Sequence, residues 1–246
     1  MKKILLGIAL SVVVLQGCKK DDDDVVDETV VLTVAEQNTY DDAAAIRFLD
    51  KNYFDAKGNI VAFDDTVTTD DNFPKLSSYN PVTLPSGVIY IVRPNAQPAA
   101  GKTVNPTDIL SLMQVVKSYV SAKVSDNIVF ASESTFSNTV ATGDVIKDPA
   151  YFYVKSSVLK KYNDTYGTTY GRNFYEIEGL QEGLKYFKSF ELDPSADYNM
   201  QGVIIVPSRA AFARDATVYG TAYNNRSFVF CFQLYNSKTR NMETED

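Results

Sequence analysis

Histidine is absent from the whole chain. That single gap removes the Ser-His-Asp triad, the Cys-His pair and every histidine metal site. Cysteine is nearly as scarce: Cys18 and Cys231 are the two, too few for a cysteine-rich zinc site. There is no excess of positive charge, since 24 Lys and Arg face 31 Asp and Glu for a net charge of −7. Such a chain, with no basic stripe, repels phosphate backbones, and nucleic acid is not an expected partner. The Gly101-Lys102-Thr103 stretch lacks the glycine that a phosphate loop needs at position 96, where Ala96 stands. The turn Asp55 to Asn59 lacks the ligand order of a calcium loop. Asp64, Asp65, Asp70 and Asp71 read as a solvated loop rather than a hard-cation site. No metal and no cofactor is expected.

The one long apolar run lies at the start. Met1-Lys2-Lys3 is followed by Ile4 to Leu15 and then Gln16-Gly17-Cys18, a charged region, an apolar region of signal-peptide length and a small residue before a cysteine. The run is too short to span a bilayer as a helix. LQGC resembles the lipobox of bacterial lipoproteins, which implies cleavage after residue 17, lipidation of Cys18 and a membrane anchor there. Loss of Lys2 and Lys3 makes the mature chain more acidic still. Asp21 to Asp24 reads as part of a solvated tether over residues 18–35. A short acidic run after the lipidated cysteine also resembles the export signal of surface lipoproteins. The expected location is therefore the outer membrane, its surface and its periplasmic face both remaining open. With Cys18 acylated, Cys231 is the only thiol left, set mid-strand among aromatics as an inert packed group.

Residues 36–80 read as an N-terminal helical extension with a linker. Tyr40, Ala44, Ala45, Ile46, Leu49 and Tyr53 recur at helical spacing through Glu36 to Phe54. From residue 81 to 240 the pattern changes to strands. Leu84 to Val92 is a turn and strand, Asp108 to Tyr119 a strand with Leu110 and Leu112 inward, and Ile128 to Ser132 another. Within a long insert over residues 132–175, Asp148 to Tyr153 predicts a short strand and Ser156 to Tyr162 a helical turn. An amphipathic helix over Leu180 to Phe187, a buried strand over Val203 to Val206 and a last strand with Phe228, Phe230, Phe232 and Leu234 on one face complete the pass. Helix, strand, loop and strand define an α+β class, one helix laid across a curled antiparallel sheet.

EIEGLQEGL, VIIVPSRAAFA and FVFCFQL resemble, in order, three core motifs of the FKBP-type peptidyl-prolyl isomerases: V-I-x-G-W-x-E-G-L, I-P-x-x-x-A-Y-G and L-x-F-x-V-E-L. The segment from Leu84 resembles that family's first strand, and Ile128 to Ser132 its x-x-F-D-S-S strand. The resemblance implies an FKBP-like curved antiparallel sheet around one helix, and a pocket for proline-containing or hydrophobic protein segments. It also implies catalysis without nucleophile or proton transfer, the twisted amide being bound better than the planar one.

By that resemblance Phe130 matches the Phe before the family's Asp. Ile177 matches the Ile whose backbone N–H meets the ligand carbonyl, and Phe230 the aromatic of the last strand. Four positions depart. Ala131 stands where the acid belongs, Leu180 replaces the Trp that floors the pocket, Phe212 replaces a Tyr, and Gln114 stands near the strand Tyr. The apolar set either lines a groove or fills the core. No residue is assigned as catalytic. The implied function is an outer-membrane, FKBP-like binding module with weak or lost isomerase activity. The alternatives are an active isomerase or foldase of the cell envelope, and a glycan- or nutrient-binding lipoprotein suggested by Tyr162, Tyr166, Tyr170 and Tyr175.

Overall fold

A computed structural model describes residues 32–213, 218, 219 and 221–246. Cys18, the apolar run and the acidic run lie outside them. Helix α1 (Val34–Lys51) begins under a capping box, with Thr33 Oγ1 accepting from the Glu36 N–H and Glu36 accepting from the Thr33 N–H. Both first-turn donors are thereby satisfied. Asn52 is extended and ends the helix, three residues short of the expected Phe54. Asn52–Phe54 instead forms β1, paired with β2 (Ile60–Ala62). The stretch read as a linker contains a short 3-10 turn, Leu76–Tyr79, with Leu76 buried.

The strands that follow are β3 (Val82–Thr83), β4 (Ile89–Val92), β5 (Lys102–Thr103), β6 (Ile109–Val124), β7 (Asn127–Asn138) and β8 (Ile146–Lys147). Then come α2 (Ser156–Tyr166), α3 (Glu178–Leu184), β9 (Lys188–Ser189), β10 (Gly202–Val206) and β11 (Arg226–Lys238). The main sheet has the order β3-β4-β10-β11-β6-β7, with β8 paired to β6, and its ladders are antiparallel. Register shifts interrupt β6–β7 at Val116/Lys117 and Ser118/Val120, and β11–β6 at Leu234/Asn236. Such bulges bend and twist the strands that carry them. The protein is α+β, an antiparallel sheet folded around one short helix, with a further helix at its N-terminal side.

Both faces of the sheet are covered. Phe228, Phe230, Phe232 and Leu234 pack with Leu180, Leu184 and Phe187 in one core. Val203, Ile205 and Val229 pack with Ala45 and Leu49 of α1 in a second. This explains why β10 reads as an unbroken apolar run: Ile204 and Val206 belong to the α3 side, and Val203 and Ile205 to the α1 side. Leu110 and Leu112 also pack in the α3-side core. Cys231 is buried beneath the β1–β2 turn, its Sγ 3.3 Å from the Gly58 carbonyl oxygen. Burial pushes this thiol's pKa up to about 12, so it is inert.

Helix α3 is shorter than the expected Leu180 to Phe187, because Lys185 and Tyr186 close it as a tight turn. Phe187 nevertheless stays buried, edge-on to Phe232 at 4.9 Å. Two glycines set the closeness of α3 to the sheet. A Cβ at Gly179 would lie 2.5 Å from Val206 Cγ1, and one at Gly183 would lie 2.7 Å from Ile204 Cγ2. The spacing E-G-L-Q-E-G-L is thus a contact requirement as well as a helix. The insert differs from expectation too. Residues 148–153 form turns and coil rather than a strand; the strand is β8, just before them. The helical turn at Ser156 extends to Tyr166, where Gly167 closes it in the left-handed region at φ 63°.

Candidate functional site

Ile177, Leu180, Phe212 and Phe230 come together on the α3 side of the sheet, all nearly inaccessible. Phe130 and Ala131 do not join them. Phe130 packs on the opposite face, stacked on Tyr119 at 5.1 Å and close to Phe48 of α1 at 5.7 Å. Ala131 lies opposite Val120 in the β6–β7 ladder. The cause is the length of the hairpin. β7 continues past Ser132 to Asn138, so a second Phe-x-x-x stretch, Phe136 to Thr139, follows, and Phe136 packs against this core instead. Phe136 is T-shaped to Phe228 at 5.2 Å and to Tyr223 at 5.1 Å. Phe212 faces Phe228 at 6.0 Å. The signal that would have found Phe136 is the similarity of Phe136-Ser137-Asn138-Thr139 to Phe130-Ala131-Ser132-Glu133, which left two registers for one motif.

The polar residue beside this aromatic cluster is Gln114. It is fully buried on β6, and its Nε2 donates to Ser137 Oγ at 2.9 Å and to the Tyr151 hydroxyl oxygen. Its Oε1 is buried without a partner among the described residues. Thr139 ties the backbone of Gln114 from the other side, Oγ1 accepting its N–H at 2.9 Å.

Tyr151 comes from the segment between β8 and α2. Its carbonyl oxygen accepts the Ile177 N–H at 2.8 Å. Its ring stands T-shaped to Phe136 at 5.2 Å and tilted to Phe230 at 6.3 Å. Burial raises its hydroxyl's pKa above the usual tyrosine value, against a smaller lowering by Gln114. The residues gathered in this cluster (Gln114, Phe136, Ser137, Tyr151, Ile177, Leu180, Phe212, Phe230) include no carboxylate.

The flanks of Tyr151 are held by polar and charged contacts of their own. Arg240 grips Asp148 with both Nη atoms, and its own side chain is inaccessible. The Tyr153 ring lies between the guanidinium groups of Arg172 and Arg240, at 4.3 and 4.5 Å, an arrangement favoured by the ring quadrupole. Glu176 Oε1 accepts the Val154 N–H at 2.8 Å, and Gln181 Nε2 donates to the Phe152 carbonyl at 2.5 Å. Asp246 accepts from Ser156 N, Ser156 Oγ and Tyr153 Oη. Burial alone would raise the Asp246 carboxyl, but those bonds and Arg172 outweigh it and hold its pKa well below the usual range.

Elsewhere, an open cleft of ≈ 650 Å³ lies on the outer side of α3, among Ser86, Glu178, Glu182, Lys185 and Arg209. None of the sequence-predicted pocket residues lines it. Tyr162, Tyr166, Tyr170 and Tyr175 do meet, around the buried Phe174 and with Tyr219. Among the described residues, no three acidic or thiol groups converge as a metal site. No helix among them is long and apolar enough to cross a membrane.

No family model and no curated protein matches this sequence. Among solved structures, FkpA from Escherichia coli is similar at 19% identity and TM-score 0.35, over 64% of this chain and 51% of that one. The match thus spans about half the length of FkpA. A peptidyl-prolyl cis-trans isomerase from Pseudomonas syringae pv. tomato is similar at 12% identity and TM-score 0.35, over 65% and 81% of the two chains. The N-terminal domain of FKBP42 from Arabidopsis thaliana is similar at 11% identity and TM-score 0.37, over 65% and 92%.

Proposed function

We propose that this chain is an FKBP-like lipoprotein of the outer membrane. In this reading it binds proline-containing or hydrophobic segments of other proteins, with weak or lost prolyl isomerase activity. Three sequence motifs in family order support the architecture, together with a short helix seated on an antiparallel sheet. LQGC supports the anchor at Cys18.

The observation that carries the loss of activity is the chemistry of the residues in this cluster. An X-Pro bond crosses a barrier of about 18–20 kcal/mol. Lowering it without covalent chemistry requires polar groups fixed where the twisted amide needs them. Here Ala131 stands where the resemblance implies an acid, Ser137 follows the Phe136 that packs on the α3-side core, and Phe212 offers a ring without a hydroxyl. Loss of one well-placed polar group costs about 10²–10³ in rate. The test is turnover of an X-Pro peptide by the wild-type chain, with a complete FKBP as reference. Activity at least about a hundredfold below that reference is expected. Activity equal to it would overturn the reading.

A further inference from the structure

We infer that the open end of β4 at Val92, with the cavity beside it, docks a short extended segment of another polypeptide. That segment is uncharged and β-branched, and it joins the main sheet as an added strand. The inference does not depend on the prolyl isomerase reading. Its cavity lies at the β3–β4 edge, and Ile177, Leu180, Phe212 and Phe230 do not line it.

The edge follows from the period of the strand. The Leu84 N–H donates to the Val88 carbonyl at 2.8 Å, on the β3 side, and the Arg93 N–H donates to the Gln201 carbonyl at 2.8 Å, on the β10 side. In an antiparallel ladder the backbone groups of successive residues point to opposite neighbours. Those of Val88, Tyr90 and Val92 therefore face the β3 side, and those of Ile89, Ile91 and Arg93 face β10. The β3–β4 register, however, stops at Val82↔Tyr90. Asn80, two residues before Val82, is left-handed at φ 51° and closes the turn Leu76–Tyr79. The chain has left the sheet there, so the N–H and C=O of Val92 face a place in the ladder that β3 does not fill.

A cavity of ≈ 360 Å³ opens at that place, with Tyr79, Asn80, Val82, Tyr90, Val92 and Pro94 in its lining. Its walls come from both faces of the sheet: Tyr90 and Val92 pack with the α3-side core, and Tyr79 packs with the α1-side core. A strand laid beside Val92 sends successive side chains to opposite faces, so it meets both walls in turn. The rings are already held, Tyr90 stacked on Tyr186 at 4.3 Å and Tyr79 edge-on to Phe54 at 5.3 Å. Among the described residues that line the cavity, none is Lys, Arg, Asp or Glu. A charged side chain would thus lose water there without gaining a counter-ion. Pro94 has no N–H to offer, which keeps the docked stretch short. Pro81 and Pro85 flank β3 and blunt its pairing with the same edge of a second copy, so the fitting occupant is a separate extended segment. Main-chain bonds to Val92 supply affinity and the cavity selects side chains, as in strand addition at other sheet edges.

Fluorescein-labelled Thr-Val-Val-Val-Thr and Thr-Val-Pro-Val-Thr peptides, titrated with full-length protein and followed by anisotropy, test this directly. The wild type should bind the first saturably. The second, whose central residue has no N–H for the Val92 carbonyl, should bind at least about tenfold more weakly. Val92→Pro removes the outward N–H and leaves the β10 side of the ladder intact. With its fold shown by circular dichroism and melting, it should weaken the first peptide at least about tenfold. Val82→Lys, at an exposed position, brings a charge to the cavity and should weaken it at least about threefold. This second variant decides the matter where Val92→Pro does not fold. No saturable binding by the wild type would overturn the inference, as would a folded Val92→Pro or a Val82→Lys that binds like wild type. Dimerisation in sedimentation that Val82→Lys abolishes, without peptide binding, would overturn it in favour of a second copy. Tighter binding of the proline peptide would overturn it and leave the proposed function standing. High isomerase activity would count against the proposed function alone, so the two failures are distinguishable.

Discussion

The carboxylate of Asp41, on α1, accepts both the backbone N–H of Ser208 at 2.9 Å and its hydroxyl at 2.5 Å. Asp41 is inaccessible, and its other oxygen accepts from Gln37 Nε2 at 2.8 Å. This bond joins the N-terminal helix to the turn that follows β10 and leads to Phe212. Asp41→Ala would leave the Ser208 donors unpaired in the interior. A loss of about 1–3 kcal/mol is expected, measured as a lower urea midpoint with an unchanged slope. A shift of less than about 0.5 kcal/mol would show that α1 is not fastened through this contact.

Asp108 provides a dependence on pH. It is almost fully buried, 2.8 Å from Lys102 Nζ, 3.0 Å from the Asn105 N–H and 2.7 Å from Ser237 Oγ. Burial pushes its carboxyl up, but these partners outweigh burial and hold the pKa below the usual aspartate value. A depressed pKa means that the stabilisation is present above the unfolded-state value and is lost as pH falls through the folded-state value. Asp108→Asn should therefore cost about 1–3 kcal/mol at neutral pH. The gap to wild type should narrow below about pH 4. An equal gap at pH 7 and pH 3 would contradict a role for the charge.

The cluster around Phe136 can be tested for chemistry. Ser137→Asp combined with Phe212→Tyr places an acid and a hydroxyl near Phe136 and should raise X-Pro turnover at least about tenfold over wild type. Ala131→Asp, paired with Val120 and six residues along β6 from Gln114, should change turnover by less than about twofold. A rise with Ala131→Asp and none with the first combination would return the acid position to residue 131.

Lipidation is expected at Cys18. Cys18→Ala should abolish incorporation of a labelled fatty acid and shift the protein from the membrane to the soluble fraction. Persistent incorporation in that variant would place the modification elsewhere.

The strands were legible wherever burial has a simple period. Phe228, Phe230, Phe232 and Leu234 alternate because β11 meets α3 on one face, and β10 reads as solid apolar because α1 covers the other. The limits of α3 were less so, since Phe187 is buried by coil geometry and its helical spacing is incidental. Of the candidate residues, Ile177 and Leu180 were legible as neighbours, because local sequence ties both to one helix. Phe136 was hidden by length: two phenylalanines six positions apart on one strand look alike until the hairpin's reach is known. Tyr151 carries no local signal, because its position depends on Arg240, Arg172 and Glu176, remote in sequence and joined only by the fold.

The order β3-β4-β10-β11-β6-β7 puts residues 226–238 in the middle of the sheet. Before they are synthesised, the β4–β10 portion and the β6–β7 hairpin have no ladder between them. A nascent chain in this state presents unpaired strand edges on either side of the gap, and its closing contacts span more than a hundred residues, as between Val120 and Arg226. Pairing over such separations is slow. Biosynthesis thus runs ahead of folding, and the unfinished chain depends on protection against edge-to-edge aggregation until its last strand arrives.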